Sequence, residues 1–517
     1  MTLRDTVRLT ARARRLLGWG AASVDVRPLF FGDALLPQFS QSIGGCEVVD
    51  TNGRRYIDWF GGGCNLLGYG EPRVDAAIRA QLLDAGPLLP SIGPLEIEVA
   101  ELLVDMIPCA EMVVFGKNGS DGLTAAVRLA RIVTGRDVVL YCGWHGFHDW
   151  FAAADPVNEG IPHALRELIR PFVYNDVESL RSQLDDRVAA VVMEPVKSEL
   201  PAPGYLERVR ELTRDAGCLL IFDEVVTALR LAPGGAQEAF GVVPDLACLG
   251  KSLGNGMPLS ALVGRREIMR HHPRTGVGMT FQGETLSLAA ARAVLQIVRD
   301  EPVSQRIAQI GKTVGDAFAE EARKRGIDAS VTAHPARPVL NFADRGEFPG
   351  EYLMQLFMLA CLRGGVATGR MMFPSYAHDD RAVDTTLSVF RDALDIVARA
   401  VEGEFRGFVL PGEPDVLGYL DRADDGVATG WILVNGGAAD ELRAFTVDGD
   451  PIAIAPANRA DVAALYPGGA ESGFVASAGS ETAMLIEARR GGATARCVVE
   501  WSAGEFPIAL RQGRVAS

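Results

Sequence analysis

The sequence has no Cys-x-x-Cys pair, no low-complexity tract and no apolar run approaching the length of a membrane span. It also has no excess of positive charge: the formal net charge is -15. Each absence excludes something. Scattered thiols at Cys46, Cys64, Cys109, Cys142, Cys218, Cys248, Cys361 and Cys497, several within apolar runs, are expected to be reduced core residues, which fits a cytoplasmic protein. Without a long apolar stretch there is no membrane span, and the arginine-rich start (six arginines through Arg27) lacks the apolar core of a signal peptide. The acidic balance argues against nucleic acid as a partner and favours solubility. A P-loop is excluded as well. Gly250-Lys251-Ser252 resembles its end, but the motif needs a glycine five residues earlier, and position 245 is Asp.

What is present is an ordinary globular composition, 48% hydrophobic and 23% charged, over 517 residues, enough for two to four domains. From roughly 45 to 400, short apolar runs alternate with helical patterns. Candidate strands are Met112–Phe115, Val138–Tyr141, Ala189–Met193, Leu219–Phe222 and Leu246–Leu249. Between them, Leu123, Ala126, Val127 and Ala130 fall on one helical face over 123–132. Such alternation predicts an α/β fold with a mainly parallel sheet covered on both sides, its ligands at the carboxyl ends of the strands. Leu3, Val7, Leu9, Leu16 and Leu17 allow an N-terminal amphipathic helix packed on the body of the fold. After about 405 the helical period vanishes. Pro411-Gly412-Glu413-Pro414 reads as a linker. Short strands follow around Tyr419, at Val427–Val434, Leu442–Ile454, Gly473–Ala478, Ala483–Ala488 and Ala493–Trp501, predicting a separate all-β sandwich-like module.

Lys251 follows one candidate strand and Asp223 another, so both are expected at one crevice. A lysine on a glycine-bounded turn can form an imine with an aldehyde cofactor, and an acid ending a buried strand can keep a pyridine nitrogen protonated. Together they point to pyridoxal phosphate. Lys251 is then also the proton shuttle. Asn118-Gly119-Ser120 follows a strand and opens a helix, a place to hold a phosphate, although many helices simply begin so. Trp144, in Trp144-His145-Gly146, could stack on the cofactor ring or be an ordinary core or surface tryptophan. Val225 faces the same way as Asp223 if the strand pleat persists, and would pack on the other ring face. The bland alternative for Asp223-Glu224 is a helix-capping acid pair.

These residues, in this order, resemble the class III aminotransferases of pyridoxal-phosphate fold type I, in particular the glutamate-1-semialdehyde aminomutase subgroup. The likeness runs from about Gly45 to Ala400. It is carried by the stretches Asp50–Asp58, Asn118–Gly122, Ala126–Arg131, Trp144–Gly146, Met193–Val196, Phe222–Val225, Leu249–Lys251 and Thr280–Gly283. The resemblance implies a homodimer with shared active sites, in which Thr280 reaches the cofactor phosphate of the neighbouring subunit. Gly119 and Ser120 match the phosphate turn, Trp144 and His145 the stacking segment, and Glu194 an acid near the cofactor. Arg230 matches the aminomutase-like branch and, with Arg27, is expected to bind substrate. Arg27 lies close to where aminomutases place a substrate-carboxylate arginine, across a one-residue gap. Three departures stand out. Gly61-Gly62-Gly63 replaces a segment with a bulky aromatic, Glu284-Thr285 stands where Asn-Pro is usual, and Asn255 interrupts a glycine run. A wall of glycines suggests a substrate larger than a five-carbon semialdehyde. The stretch from Gly418 to Trp431 resembles the start of a β-rich module in bacterial surface-polysaccharide enzymes.

The expected organisation is an N-terminal segment of the small domain (1–50), a cofactor-binding large domain (51–300), the small α/β domain (301–405) and the β module (415–517). The expected activity is transfer of an amino group from an amino donor to a carbonyl acceptor, such as a keto-sugar or sugar acid of cell-surface glycan. An aminomutase and a racemase or epimerase share the same lysine. A non-catalytic scaffold with a glycan- or protein-binding module is the reading from a different class. No metal site is expected.

Overall fold

The computed structural model describes residues 12, 16, 40–51, 53–154, 159–346, 348–402, 416–424, 427–434, 437–446, 451–459, 471–477, 483–490 and 493–500. Arg27, most of the expected N-terminal helix and the linker at 411–414 lie outside them.

Strands β1 (Ser40–Gly44), β2 (Glu47–Asp50) and β3 (Arg55–Asp58) come first. Seven more form the central sheet: β4 (Met112–Gly116), β5 (Val138–Cys142), β6 (Ile169–Pro171), β7 (Val188–Met193), β8 (Leu219–Glu224), β9 (Leu246–Leu249) and β10 (Ser260–Gly264). Their order is β4-β10-β9-β8-β7-β5-β6. β6, β5, β7, β8 and β9 pair in parallel, and β10 runs antiparallel to both β9 and β4. All five expected strands are present, one or two residues longer in most cases. Successive residues serve opposite faces, as the pleat requires. Val191, Met193, Leu220 and Phe222 pack against Val99, Leu103, Val209 and Leu212 of the helices Pro94–Met106 and Tyr205–Asp215. Ala190, Val192 and Ile221 pack against Leu123, Ala126, Val127 and Ala130 of the helix Gly119–Thr134. A sheet buried on both faces explains why its strands read as unbroken apolar runs.

A second core joins β3 to the helices Val303–Lys324, Gly350–Arg363 and Asp380–Val401. β11 (Ala329–Thr332) and β12 (Val339–Phe342) pair with each other, and β13 (Val366–Ala367) adds in parallel to β3. Trp59, fully buried here, donates its indole N–H to Thr386 at 2.9 Å. A boundary drawn at residue 50/51 therefore falls within one sheet, because β2 and β3 pair with each other.

In the C-terminal part, the stretch from Gly418 to Trp431 lies on two antiparallel strands, Val416–Asp424 and Val427–Val434. The described strands there form two antiparallel sheets.

Asp245, the residue that rules out a P-loop, is an anchor beneath the sheet. Arg210 grips it with two bonds of 2.6 and 2.9 Å, Arg265 adds one at 2.8 Å, and the Leu220 N–H donates at 2.8 Å. Burial alone would raise its carboxyl pKa, but the Arg210 bonds, the Leu220 N–H and Arg265 hold it below the ordinary value. A depressed folded pKa contributes stability above the unfolded value, and that stability is lost as pH falls through the folded value. Asp245→Asn should therefore cost about 3–5 kcal/mol at neutral pH by stranding buried arginine. The gap to wild type should narrow below about pH 4, measured by denaturant titration across pH.

Candidate active site

The carboxyl ends of β8 and β9 open on a cavity of about 760 Å³. Gly119, Ser120, Trp144, His145, Glu194, Asp223, Val225 and Lys251 all line it. These eight sequence-derived candidates come from five separate loops, and the sheet topology brings them together.

Asp223 and Glu224 end β8, and their neighbours separate their tasks. Asp223 is 6% exposed. Nδ1 of His145 lies 2.8 Å from its Oδ2, a distance at which the ring N–H donates to the carboxylate. The Val225 N–H donates to its other oxygen at 3.2 Å. Glu224 turns the opposite way, accepting from Thr227 Oγ1 at 2.8 Å and the Ala236 N–H at 2.6 Å at the start of the helix Gly235–Phe240. The capping alternative thus holds for Glu224, while Asp223 faces the cavity. β8 stops at Glu224, so the pleat does not continue to Val225. Val225 still lines the cavity because it wedges between two loops: a Cβ on Gly119 would come within 2.6 Å of its Cγ2, and one on Gly250 within 3.3 Å of its Cγ1.

Lys251 opens a short 3-10 turn after β9 with φ +41°, a left-handed conformation that a non-glycine residue adopts at a cost. It makes no hydrogen bond or ion pair with the described residues. Asn255 closes the same turn in the left-handed region, at φ 44°. Its side chain accepts from Leu67 N–H and donates to Gly68 O, both at 2.9 Å. Asparagine stands in for glycine here because it tolerates that backbone and locks two loops together.

The helix Gly119–Thr134 begins with a capping box: Asn118 accepts from the Asp121 N–H, and Asp121 accepts from the Asn118 N–H at 3.0 Å. Its first N–H groups start at Gly119 and Ser120, on the cavity wall. Trp144 is 60% exposed and flanks the cavity. Its N–H donates to Glu194 Oε1 at 2.8 Å, so Glu194 braces the loop that carries Trp144 and His145.

Among the described candidates, Thr280 and Arg230 do not line the cavity. Thr280 is exposed, beside the 58%-exposed Phe281. Arg27 is outside the described residues. Arg230 is fully buried, donating to Pro374 O at 2.9 Å, Ala336 O at 3.3 Å and Gly63 O at 3.4 Å, with its guanidinium over the Phe373 ring. Burial pulls its pKa down to about 10. It ties the small-domain loops under the cavity wall and presents no hydrogen bond toward the cavity.

Sequence reasoning missed Arg337, Met371 and Phe373, which reach the cavity from the small domain. No local motif marks them. Glu284, seen only as a departure, caps the helix Thr285–Asp300 and pairs with Lys117 at 3.0 Å.

The residue types fit pyridoxal phosphate. The opening residues of a helix, Gly119 and Ser120, lie on the cavity wall, a buried carboxylate is held by a histidine, and a lysine has no hydrogen-bond or ion-pair partner among the described residues.

Comparison with known proteins agrees. The class III aminotransferase family model matches residues 34–333. The 3-aminobutyryl-CoA aminotransferase of Cloacimonas acidaminovorans is 32% identical over 76% of this chain and 97% of its own length. The glutamate-1-semialdehyde 2,1-aminomutase of Methanocaldococcus jannaschii is 33% identical over 69% of this chain and 92% of its own. Among solved structures, the FumI protein of Sphingopyxis sp. MTA144, in its pyridoxal-phosphate internal aldimine form, superposes with a TM-score of 0.71 at 29% identity, covering 76% of this chain and 96% of that one. The chain belongs to the class III aminotransferases, enzymes whose cofactor is pyridoxal phosphate.

Proposed function

We propose that the chain moves an amino group from an amino donor to a carbonyl acceptor. The observation that carries this reading is the partnerless Lys251 facing the same cavity as the buried Asp223 and the opening turn of the helix Gly119–Thr134. When bound, pyridoxal phosphate supplies a reactive aldehyde and an electron-withdrawing ring. Lys251 holds the aldehyde and, once a substrate amine takes its place, carries a proton off the substrate carbon and returns it. Asp223 keeps the ring nitrogen charged, and His145 keeps Asp223 oriented. Gly119 and Ser120 hold the phosphate. Trp144 covers one ring face and Val225 the other, with Glu194 fixing the Trp144 loop. Thr280, exposed on its own chain, reaches the phosphate of the partner subunit, so the working unit is a homodimer with shared sites.

For the acceptor, a bulky carbonyl compound is the better match. Gly61, Gly62 and Gly63 all have positive φ (50°, 59° and 70°), and a Cβ on cavity-lining Gly62 would meet only Cys64 Sγ, at 3.8 Å. Bare backbone in a cavity of about 760 Å³ leaves room for a keto-sugar or sugar acid of cell-surface glycan. The module at 415–517 would then be its glycan- or protein-binding appendage, and the enzyme cytoplasmic. The likeness to aminomutases favours a second reading, in which donor and acceptor carbons belong to one molecule.

Absorbance spectra with a panel of amino donors test the proposal. Donors that bleach the visible band of the bound cofactor, with an acceptor restoring it, are the expected result. A band that no donor bleaches favours the mutase, and a protein that takes up no cofactor contradicts both.

A further inference from the structure

Lys251 and the bare-backbone wall share one cavity, and a side chain outside the cavity joins them. The wall belongs to the segment 60–68, of which Phe60, Gly62 and Cys64 line the cavity. Burial raises the Cys64 thiol pKa and the charge of Lys251 pulls against it, so the lysine lies within electrostatic reach of the wall. The start of the segment is held by Asp58, which accepts from the Phe60 N–H at 2.9 Å and the Gly61 N–H at 3.0 Å. Its far end is held by Asn255, through the Leu67 N–H and Gly68 O. Among the described residues, these last two are the only hydrogen bonds between the segment and the turn that carries Lys251. Neither Leu67 N–H nor Gly68 O has another partner there.

Asn255 does not itself line the cavity, although Gly256 beside it does. For a turn that closes at φ 44°, glycine is the easier residue. Glycine would complete the turn and make neither bond, so the asparagine side chain serves something besides the turn. The segment explains what. Gly61, Gly62 and Gly63 give it a backbone with wide freedom, and a wall built on such a backbone keeps its place only if both ends are tied.

Resting on the amino-transfer reading, we infer that Asn255 is a positioning residue for bulky substrates: it fixes the wall of Phe60, Gly62 and Cys64 at a set distance from Lys251. A large substrate group then meets a wall already in place and pays no ordering cost on binding. A small one does not reach the wall and is indifferent to it.

The test uses O-methylhydroxylamine and O-benzylhydroxylamine on the cofactor-loaded protein. Each displaces Lys251: the oxyamine nitrogen forms the carbon–nitrogen double bond to the cofactor, its two hydrogens pass to the departing lysine amine, and the visible band decays. In Asn255→Gly the benzyl probe should slow by about ten-fold, the scale of the lost hydrogen bonds. The methyl probe should keep its wild-type rate. Amide exchange in the segment 60–68 of the cofactor-free protein, read by peptide mass spectrometry, should quicken at Leu67 by about ten-fold or more. The cofactor band should persist, which also shows that the variant is folded. Asn255→Asp tolerates the same backbone and keeps an acceptor for Leu67, so the benzyl probe should slow less. Should Asn255→Gly fail to fold, that comparison with wild type carries the test.

Unchanged rates for both probes overturn the inference. Equal slowing of both also overturns it, because Asn255 would then act on Lys251 itself and not on the wall. So does Leu67 exchange that stays at the wild-type rate. Any of these with the band intact leaves the amino-transfer reading standing. A wild-type protein without a cofactor band removes that reading itself, and quickened Leu67 exchange would then leave Asn255 as a structural clamp alone.

Discussion

Lys251→Ala should abolish the visible cofactor band and reduce turnover by about 10⁴-fold or more, combining the lost covalent tether with the lost proton shuttle. The substitution should leave the fold intact. Among the described residues Lys251 has no hydrogen bond or ion pair to lose, and the turn it opens is carried by the buried residues Ser252, Leu253 and Gly254. Retained melting temperature with lost band and lost turnover is the expected combination, checked by spectroscopy and stopped-flow kinetics on the same preparation. An unchanged band would move the cofactor to a different residue.

Asp223→Asn should lower turnover by about 10²–10³-fold, the scale of losing one preorganised electrostatic partner, while the band persists at a shifted wavelength. Asparagine preserves the shape: its one amide oxygen can accept from the Val225 N–H, and its NH2 can donate to His145 Nδ1 once that ring carries its proton on Nε2, so the loop geometry survives. What disappears is the negative charge opposite the ring nitrogen. Cofactor dissociation should change far less than turnover. A variant whose turnover matches wild type would show that Asp223 is structural, like Glu224 beside it.

Much of this site could be read from the sequence because its parts sit at the ends of buried parallel strands. Leu219–Phe222 and Leu246–Leu249 are unbroken apolar runs for a physical reason, burial on both sheet faces, and the polar residue that follows each must emerge at the crevice. The capping signal at Asn118 was equally local. By contrast, β10 was missed: five residues after Pro258, including a serine and a glycine, carry no period that separates them from a loop. Arg230 could not be placed either. Leu229 before it takes φ 62°, which turns the arginine inward beneath Phe373, and no spacing rule announces that. Arg337, Met371 and Phe373 reach the cavity only because the small domain packs against the loop after β7. Contacts made across more than a hundred residues leave no local pattern. The departures told the same story from the other side. Glu284 and Asn255 looked like losses from a family pattern, and each turns out to satisfy the backbone it sits on, one as a helix cap and the other as a left-handed residue.

The most direct measurement is borohydride reduction of the protein loaded with pyridoxal phosphate, followed by peptide mass spectrometry. The account predicts a single phosphopyridoxyl adduct, on Lys251. An adduct on Lys117 or another lysine, or none at all, would contradict it.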